Sequence, residues 1–551
     1  MPSQDSNNSP SLSVCFEDSQ FLEDLASSLV TFLEDQRWFA AKTEGIQSVE
    51  ILDSVEIPGD RTNFELVLAS VVTKGGSSDC YAVPVGSGPA NDESSRQVII
   101  DLPVDEEAPR PRESLVESSG NPEFWRAITT TLANQSLTSR NGRVLKLTRT
   151  GNSTLGTGDS FQDAVFAIHG GEQSNSAVAI GDQFFLKLFR RPRVGHNPDA
   201  EVGIFLTDRT NFRNSPLIEA TIEISGADGN RCLALISEQV QGDTDAWNYT
   251  LENLKDYWER LARLENRPNS SPQFGLLNGE GVENFLSTIG SLNEALIGTF
   301  AGDAALLGKR TAELHAALAS SDDDPAFASE PLTQEALNEL VIQIRREVQS
   351  TCELLEQADL TEISMANLPR RISLRANSRL DEISSIDTAG ANVISIRCHG
   401  DYHLGQVLKT ESDFIILDFE GEPDRPFDER RQKRCALRDV AGMIRSLHYA
   451  SCTTAVEILP SPDARIADVE SWRSYWYESA RASFLVGYEQ EADGKNFLPK
   501  DRAVFQQLLD LFLIEKVLYE LRYEINNRPD WVQIPLAGLN AVLGLSDDDA
   551  K

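Results

Sequence analysis

The chain has 551 residues, which is the length of about three or four ordinary domains. Its 50 Lys and Arg residues against 86 Asp and Glu residues give a formal net charge of -36. This acidity argues against a nucleic acid or an anionic membrane as partner, because both are bound through basic surfaces. The seven cysteines form no CxxC pair, and the sequence has neither an apolar run of membrane-spanning length nor a secretory signal. We therefore predict a cytoplasmic protein without a disulfide framework, zinc site or membrane segment.

The N-terminal part of the chain is predicted to form a small α/β domain over residues 14–103. A helical pattern of apolar residues runs from Phe21 to Leu33, and short strand-like runs follow it, separated by Gly, Ser, Asn and Asp. Residues 104–122 are charged and rich in Pro and Ser, a composition typical of a linker.

The rest of the chain is predicted to divide into a β-rich unit over residues 123–240 and a helical part over residues 241–551. In the β-rich unit, the runs Ser176–Ile180 and Gln183–Phe189 are separated by Gly-Asp, which predicts a hairpin with a tight turn. In the helical part, apolar residues recur at helical spacing, and residues 503–525 form the longest helix candidate.

The strongest chemical signal is a polar loop followed by an acidic hairpin end. Asp401 leaves a predicted strand, Gln406 follows five residues later, and the next predicted hairpin ends in Asp418, Glu420 and Glu422. Phosphoryl transfer uses one carboxylate to take the proton of the acceptor hydroxyl, and a carboxylate and an amide to hold Mg²⁺. A protein-kinase catalytic loop has the same spacing, with Asn in the place of Gln406. A solvated loop edge is the alternative, which the matched spacing of both segments disfavours.

A kinase also needs a lysine on a strand of its smaller lobe, paired with a helix glutamate. Lys187 lies in the apolar run Phe184–Phe189, where an unpaired ammonium group would be costly to bury. Glu201 falls in the first turn of a helix predicted to start at Asn197 and Pro198, so we expect it to pair with Lys187. An edge-strand lysine that blocks aggregation is the alternative.

Two further nucleotide-binding elements have weaker signals. No GxGxxG motif precedes Lys187. A polar turn before Lys187 is instead the candidate phosphate-binding loop, because it could bring backbone N–H groups and hydroxyls to the phosphates. A turn without any binding role fits the same residues equally well. The residues of that turn are Ser174, Asn175 and Ser176. By placement alone, the segment after the predicted strand Cys232–Ile236 would be an interlobe hinge, where Glu238 and Val240 would contact adenine.

The long helix candidate offers an acceptor site. Lys516, Tyr519 and Tyr523 lie opposite its apolar face. Aromatic rings pack on the apolar face of a sugar, and charged groups bond its hydroxyls. The alternative is a solvated outer face on which Lys516 pairs with Glu520.

Three histidines are candidates for roles in or near the predicted site. His399 and His403 flank Asp401, and we expect them to border the substrate and to position the catalytic loop rather than to bind a metal. His315 lies in a helical pattern and is expected to be a helix-packing histidine.

With these residues in place, the sequence resembles the bacterial maltokinases, a branch of the aminoglycoside-phosphotransferase-like kinase superfamily. The resemblance runs from about residue 20 to 540, and HGDxHLGQVL followed by DFEGEP is its most specific part. The matching segments are Gln36–Phe39, Glu172–Ser176, Phe185–Arg191, Asn197–Val202, Cys398–Val407, Asp418–Pro423, Leu437–Met443, Glu515–Glu524 and Asn527–Trp531.

The resemblance implies an α+β, bilobal protein-kinase-like fold, with a cap and a β-rich subdomain forming the N-lobe and a mainly helical C-lobe. It implies ATP-dependent phosphorylation of maltose at the anomeric hydroxyl, with maltose 1-phosphate feeding α-glucan and glycogen synthesis and a trehalose synthase as a candidate partner. By the same resemblance, Asp401 is the catalytic base, and Gln406 and Asp418 bind Mg²⁺ with help from Glu420. The resemblance also implies that Lys187 and Glu201 clamp the nucleotide. It further implies that Lys516, Tyr519 and Tyr523 contact maltose.

Two alternatives stay open from the sequence. One is a kinase of the same superfamily that acts on another sugar, an aminoglycoside or choline. The other is a non-catalytic, sugar-sensing module associated with a trehalose synthase, against which the intact kinase residues argue.

Overall fold

In the computed structural model, the chain divides into two compact units. One consists of Met1–Arg209 and Pro216–Val240, and the other of Thr210–Ser215 and Gln241–Lys551. The chain passes into the second unit directly after Val240, the residue at which the sequence placed a domain boundary. The described residues are 12–42, 44–60, 62–89, 97–103, 113–170, 174–242, 244–264, 294–358, 367–423, 425–458 and 469–545.

The first unit contains a five-stranded antiparallel sheet in the order β1-β2-β3-β5-β4. Its strands are β1 (Ile46–Ile57), β2 (Phe64–Thr73), β3 (Ser78–Pro89), β4 (Val98–Asp101) and β5 (Glu113–Glu117). Two helices precede it, α1 (Leu12–Cys15) and α2 (Ser19–Asp35). Successive residues of β2 point to opposite faces, so Val67 packs into a core with α2, whereas Leu66 and Leu68 pack into a second core.

Strand β5 corrects part of the predicted linker. Residues 113–117 pair with β3 and β4 and complete the first sheet, and a helix begins at Pro122. The remainder of the predicted linker, residues 104–112, lies outside the described residues. The N-terminal sheet therefore extends beyond residue 103, where the sequence placed its end.

A seven-stranded sheet completes the first unit, in the order β6-β7-β11-β12-β10-β9-β8. Its strands are β6 (Leu137–Thr138), β7 (Val144–Arg149), β8 (Phe166–His169), β9 (Ser176–Ile180), β10 (Phe184–Leu188), β11 (Ile218–Gly226) and β12 (Gly229–Glu238). The helices of this region are α3 (Pro122–Asn134), α4 (Asp159–Gln162) and α5 (Pro198–Arg209). The predicted hairpin is confirmed as β9 and β10, with Phe184 opposite Ile180. Phe124 and Trp125 of α3 pack in one core with side chains of both sheets.

The second unit is mainly helical. Its helices are α6 (Ala246–Arg263), α7 (Phe300–Leu318), α8 (Gln334–Gln357), α9 (Leu368–Ser384), α10 (Leu437–Ile458), α11 (Val469–Ala492), α12 (Arg502–Asn527) and α13 (Gln533–Leu543). Its strands are β13 (Thr244–Asp245), β14 (Glu330–Pro331), β15 (Ile394–Ser395), β16 (Val407–Lys409) and β17 (Phe414–Ile416). Strands β13, β16 and β17 form one antiparallel sheet. Among the described residues, no helix combines the length and apolar character needed to cross a membrane.

Helices α7 and α11 approach each other through glycines. A Cβ atom on Gly308 of α7 would lie 1.9 Å from the carbonyl oxygen of Phe484, and one on Gly487 of α11 would lie 1.9 Å from that of Ala305. Since backbone cannot yield as a flexible side chain does, these two positions fix the separation of the helices.

We expect Gly308→Ala to destabilise the protein by at least about 1–3 kcal/mol, because an added methyl group forces two backbones apart. Gly302 is the matched control: it lies on the same helix, is exposed, and has no atom within 4 Å of an added Cβ. There, alanine should stabilise by about 0.5–1 kcal/mol through helix propensity. Denaturation followed by far-ultraviolet circular dichroism measures both changes. Equal effects at the two positions would contradict the close approach.

Candidate active site

Two glycines bring the loop that holds Asp401 against the acidic loop that holds Glu420. Gly400 precedes Asp401 and has a φ of +89°, and Gly421 has a φ of +72°. Both values favour glycine over other residues. A Cβ atom on Gly400 would lie 3.2 Å from the Cα of Gly421, so any larger residue would force the loops apart. The segment that holds Asp401 therefore lies against the segment that holds Glu420.

The predicted metal ligands lie on the hairpin and beside it. Strands β16 and β17 pair as predicted, and the N–H of Leu417 donates to the carbonyl oxygen of Gln406 at 2.9 Å. Asp418 has a φ of +68°, a strained conformation that costs about 1–3 kcal/mol and is common at functional sites. Carboxylate oxygens of Asp418 and Glu420 lie within 4.8 Å of each other. Hard oxygen donors at this separation fit a Mg²⁺ ion.

Lys516 of α12 contacts the predicted catalytic base. Its ammonium nitrogen lies 3.4 Å from Oδ1 of Asp401 and 3.1 Å from Oε1 of Glu422. Burial alone would lower the pKa of Lys516, but the two carboxylates outweigh burial and raise the pKa. Lys516 is therefore a cation held beside Asp401.

This arrangement contradicts one of the two predictions for the polar face of α12, the solvated outer face. Lys516 does not pair with Glu520 as a solvated i,i+4 pair would require. Glu520 instead accepts hydrogen bonds from Arg445 at 3.0 and 2.7 Å, and Arg445 is 2% exposed. The polar face of the helix is directed into the protein at both positions.

Behind Lys516 lies a network of buried ion pairs. Glu422 accepts from Arg425 at 2.7 Å and from Arg438 at 2.8 Å, and Glu515 contacts the same two arginines at 2.6 and 3.3 Å. Burial would raise the pKa of Glu422, but Arg438, Lys516 and Arg425 together hold it well below its ordinary value. Arg438 also donates to the carbonyl oxygen of Gly400 at 3.1 Å, so the network supports the loop that holds Asp401.

His399, which the sequence predicts to border the substrate, is buried and makes its hydrogen bonds inside the protein. The residue is 1% exposed, and its Nε2 lies 2.8 Å from the carbonyl oxygen of Leu417. The N–H of Asp401 donates to its Nδ1 at 3.4 Å. The other part of the prediction, that His399 positions the loop, agrees with these contacts.

Three other predicted acceptor-side residues lie nearer to solvent. His403 lies 3.9 Å from a carboxylate oxygen of Asp401, and burial lowers the pKa of His403 below its ordinary value. The Tyr519 ring packs under the ammonium group of Lys516, with 5.1 Å to the ring centroid. Tyr523 is 44% exposed and packs against Arg528. Lys516 and Tyr519 also line a cavity with Glu347 and Arg522.

In the first unit, Lys187 has an acidic partner that the sequence analysis did not name. Its ammonium nitrogen lies 2.9 Å from Oδ2 of Asp199, and both side chains are largely buried. Helix α5 starts at Pro198 as predicted, which places Asp199 and Glu201 in its first turn. The first turn of α5 therefore presents two carboxylates on the side of the chain that follows Lys187, and Asp199 is within ion-pair distance of it.

The predicted phosphate turn and hinge are also in the first unit. Ser174 is exposed, whereas Asn175 and Ser176 accept hydrogen bonds from the buried Arg190 at 3.3 and 2.8 Å. Gly171, Glu172 and Gln173 lie outside the described residues. At the predicted hinge, Glu238 ends β12 and is exposed, and Val240 is half-buried at the boundary of the unit.

Comparisons with known proteins agree with this architecture. Residues 32–107 match the family model described as Maltokinase N-terminal cap domain. The chain is 25% identical to a glucosamine kinase of Streptacidiphilus jiangxiensis over 376 residues, which cover 68% of this chain and 72% of that protein. It is 24% identical to a glucosamine kinase of Mycolicibacterium smegmatis over 378 residues, which cover 68% and 78%.

A solved structure gives the fold. It is described as glucosamine kinase in complex with glucosamine, ADP and inorganic phosphate, and it matches with a TM-score of 0.55 and 19% identity over 90% of this chain and 94% of that one. The predicted cap domain and the predicted α+β, kinase-like fold are confirmed.

Proposed function

We propose that this chain, in which a maltokinase-type cap is joined to a kinase-like fold, is an ATP-dependent sugar kinase. The observation that carries the proposal is the approach of two loops through Gly400 and Gly421. One loop holds Asp401, and the other holds Asp418 and Glu420, so a base and a set of metal-binding oxygens are presented together. Phosphoryl transfer to a hydroxyl needs these two elements.

In the proposed reaction, a sugar hydroxyl oxygen attacks the γ-phosphorus of ATP as the bond from that phosphorus to the bridging oxygen breaks, and ADP leaves. Asp401 accepts the hydrogen bond of the attacking hydroxyl and takes its proton. Gln406, Asp418 and Glu420 would hold Mg²⁺, which neutralises charge on the nucleotide phosphates. Lys516 holds the carboxylate of Asp401 in place, and Lys187 would bind nucleotide phosphate oxygens, with Asp199 and Glu201 as acidic neighbours.

Two acceptors follow from different observations. Maltose is favoured by the motifs that resemble maltokinases and by the cap domain match. With maltose as acceptor, the product would be maltose 1-phosphate, and a role in glycogen synthesis beside a trehalose synthase stays a prediction from that resemblance. Glucosamine is favoured by the two curated relatives. Glu347 lines the cavity next to Lys516, and its carboxylate, which contacts Arg522 at 3.4 Å and Gln343 at 3.1 Å, is a group that can bind an ammonium group.

A coupled assay of ADP release tests the proposal with a panel of maltose, glucose, glucosamine, trehalose, kanamycin and choline. We expect Mg²⁺-dependent turnover with a sugar and none with choline. Turnover with choline or kanamycin alone would reject a sugar acceptor. Nucleotide binding without turnover for any acceptor would favour the non-catalytic module.

Glu347→Gln separates the two sugars. If the carboxylate binds an amino group, this change should lower kcat/KM for glucosamine by about 10- to 100-fold, the usual value of a hydrogen bond to a charged group. Turnover of glucose, which has a hydroxyl in place of the amino group, is the internal control and should change little. Equal losses for glucose and glucosamine would reject amino-group recognition by Glu347.

A further inference from the structure

One buried arginine joins the five-stranded N-terminal sheet to the predicted phosphate turn. Arg190 lies three residues after Lys187 and is 0% exposed. On one side, its Nη2 donates to Oε1 of Glu117 at 2.8 Å and to the hydroxyl oxygen of Ser119 at 2.7 Å. On the other side, its Nε donates to the hydroxyl oxygen of Ser176, the last residue of the turn, at 2.8 Å. A single guanidinium group therefore holds the end of β5 and the end of the turn together.

Further contacts of Arg190 join the same two elements. Its carbonyl oxygen accepts from the N–H of Ala82 in β3 at 2.9 Å, and its own N–H donates to Oδ1 of Asn175 in the turn at 3.3 Å. Its Cζ lies 4.4 Å from the ring centroid of Trp38, a residue within the match to the cap family. Such a contact of a guanidinium group with an indole ring is attractive. The N-terminal sheet and the turn are thus coupled through both the backbone and the side chain of Arg190.

The register of β9 and β10 shows from which side Arg190 acts. Lys187 is opposite Ala177, and Leu188 is opposite Ser176. Paired residues share a face of the sheet and successive residues alternate, so Lys187 and Ser176 point to opposite faces. Leu188 packs in the core that contains residues of both sheets, which places Ser176 on the face covered by the N-terminal sheet. Arg190 therefore holds the turn from the face opposite to Lys187.

We propose that Arg190 is a positioning residue for nucleotide binding, which holds the predicted phosphate turn against the N-terminal sheet. The proposal rests on the proposed kinase function and gives the N-terminal sheet a part in it. Backbone N–H groups of a turn bind phosphate well when they are already held in place, because ordering them during binding costs affinity. Ser176 is then an anchor of the turn and not a phosphate ligand beside Lys187. A buried arginine that served the fold alone would affect stability and leave the nucleotide affinity of the folded protein unchanged.

The first test compares the same substitution at two neighbouring arginines, with titration calorimetry of MgADP as the measurement. Lysine keeps the positive charge beside Glu117 but has one ammonium group in place of the guanidinium fork. We expect Arg190→Lys to raise the Kd for MgADP by about 5- to 30-fold, the cost of ordering one residue of the turn during binding. Arg191→Lys is the matched control, because the side chain of Arg191 pairs with Asp79 of β3 instead of with the turn; its Kd should equal that of the wild type.

Ser176→Ala tests the same bond from the turn and leaves the contacts of Arg190 with Glu117 and Ser119 in place, so it serves even if Arg190→Lys does not fold. We expect it to raise the Kd for MgADP by a similar factor. In the double variant the two changes should not add, because both break one bond. A wild-type Kd in either folded single variant would overturn the proposal. Additive losses would also overturn it, because Ser176 would then act on the nucleotide independently of Arg190.

A second readout needs neither nucleotide nor acceptor. Amide hydrogen exchange of the nucleotide-free protein, followed in peptides that cover residues 174–180, reports local opening of the turn. We expect faster exchange there in Arg190→Lys and Ser176→Ala than in the wild type and Arg191→Lys. Unchanged exchange in both variants would overturn the proposal. If exchange responds as expected but the wild type binds no MgADP, the proposed function has failed and the coupling of the N-terminal sheet to the turn has not.

Discussion

Asp401→Asn is expected to lower kcat for sugar phosphorylation by about 10²–10⁴-fold, the usual contribution of a positioned general base. Asparagine has the same shape but cannot take the proton of the acceptor hydroxyl. The change should leave the fold intact, because Lys516 keeps its contact with Glu422 at 3.1 Å, and Asp401 lies at the surface of the buried ion-pair network. The KM for ATP should change much less than kcat.

Steady-state kinetics with the accepted sugar, over a range of ATP concentrations, measures this effect. Glu411→Gln is the matched control, since it also removes one carboxylate and lies exposed in the turn between β16 and β17; its kinetics should equal those of the wild type. An Asp401→Asn enzyme that keeps more than about a tenth of the wild-type kcat would argue against general-base catalysis by this residue.

Glu422→Ala is expected to destabilise the protein by about 3–5 kcal/mol, the cost of removing one partner from a buried ion pair. Glu422 is 8% exposed and forms ion pairs with Arg425, Arg438 and Lys516. Without Glu422, Arg425 and Arg438 would keep Glu515 as their buried acidic partner, and Lys516 would keep Asp401. Chemical denaturation at neutral pH measures the loss. Asp381→Ala is the control, because its pair with Arg345 leaves Asp381 74% exposed and exposed pairs contribute about 0–1 kcal/mol.

The same network predicts a dependence on pH. The pKa of Glu422 lies below its unfolded value of 4.5, because the surrounding cations outweigh burial. Its contribution to stability is therefore complete above about pH 4.5 and is lost as the pH falls below that value. The difference in unfolding free energy between wild type and Glu422→Ala should be constant from pH 8 to pH 5 and should narrow in more acidic buffer. A difference that widens on acidification would contradict the assigned direction of the pKa.

The hairpin and the loop around Asp401 were predictable because their chemistry requires fixed spacing over a short stretch. Gln406 and Asp418 lie on one hairpin, so local strand geometry alone brings their segments together. The apolar periodicity of α12 was equally local, and it placed Lys516 on a face that the structure then shows to contact Asp401.

The role of the supporting residues was not predictable, although their segments, Leu437–Met443 and Glu515–Glu524, belong to the resemblance, because their contacts join two separate helices to the loop. Arg438, Asp439 and Glu515 belong to α10 and α12, and only their burial reveals that they hold the loop. One signal was available: the adjacent charged residues Arg438 and Asp439 are followed at once by five apolar or small residues of the same helix. Strand β5 was missed for another reason. It has five residues beside a Pro-rich, charged segment, and its pairing with β3 over a long sequence separation defines it.

The core shared by the two sheets of the first unit limits how the N-terminal sheet can be separated from the rest of the unit. Leu66 and Leu68 of β2 pack in one cluster with Trp125 of α3 and with Val178 of the larger sheet. A truncated protein that begins after residue 117 would expose this apolar face to water and would be prone to aggregation. A chimaera that takes the N-terminal sheet from a relative would also need the relative's core residues on α3, because the sheet and α3 share one core. The cap domain, residues 32–107, belongs to the same compact unit as the larger sheet. We therefore expect its removal to lower the solubility of the protein before any effect on catalysis can be measured.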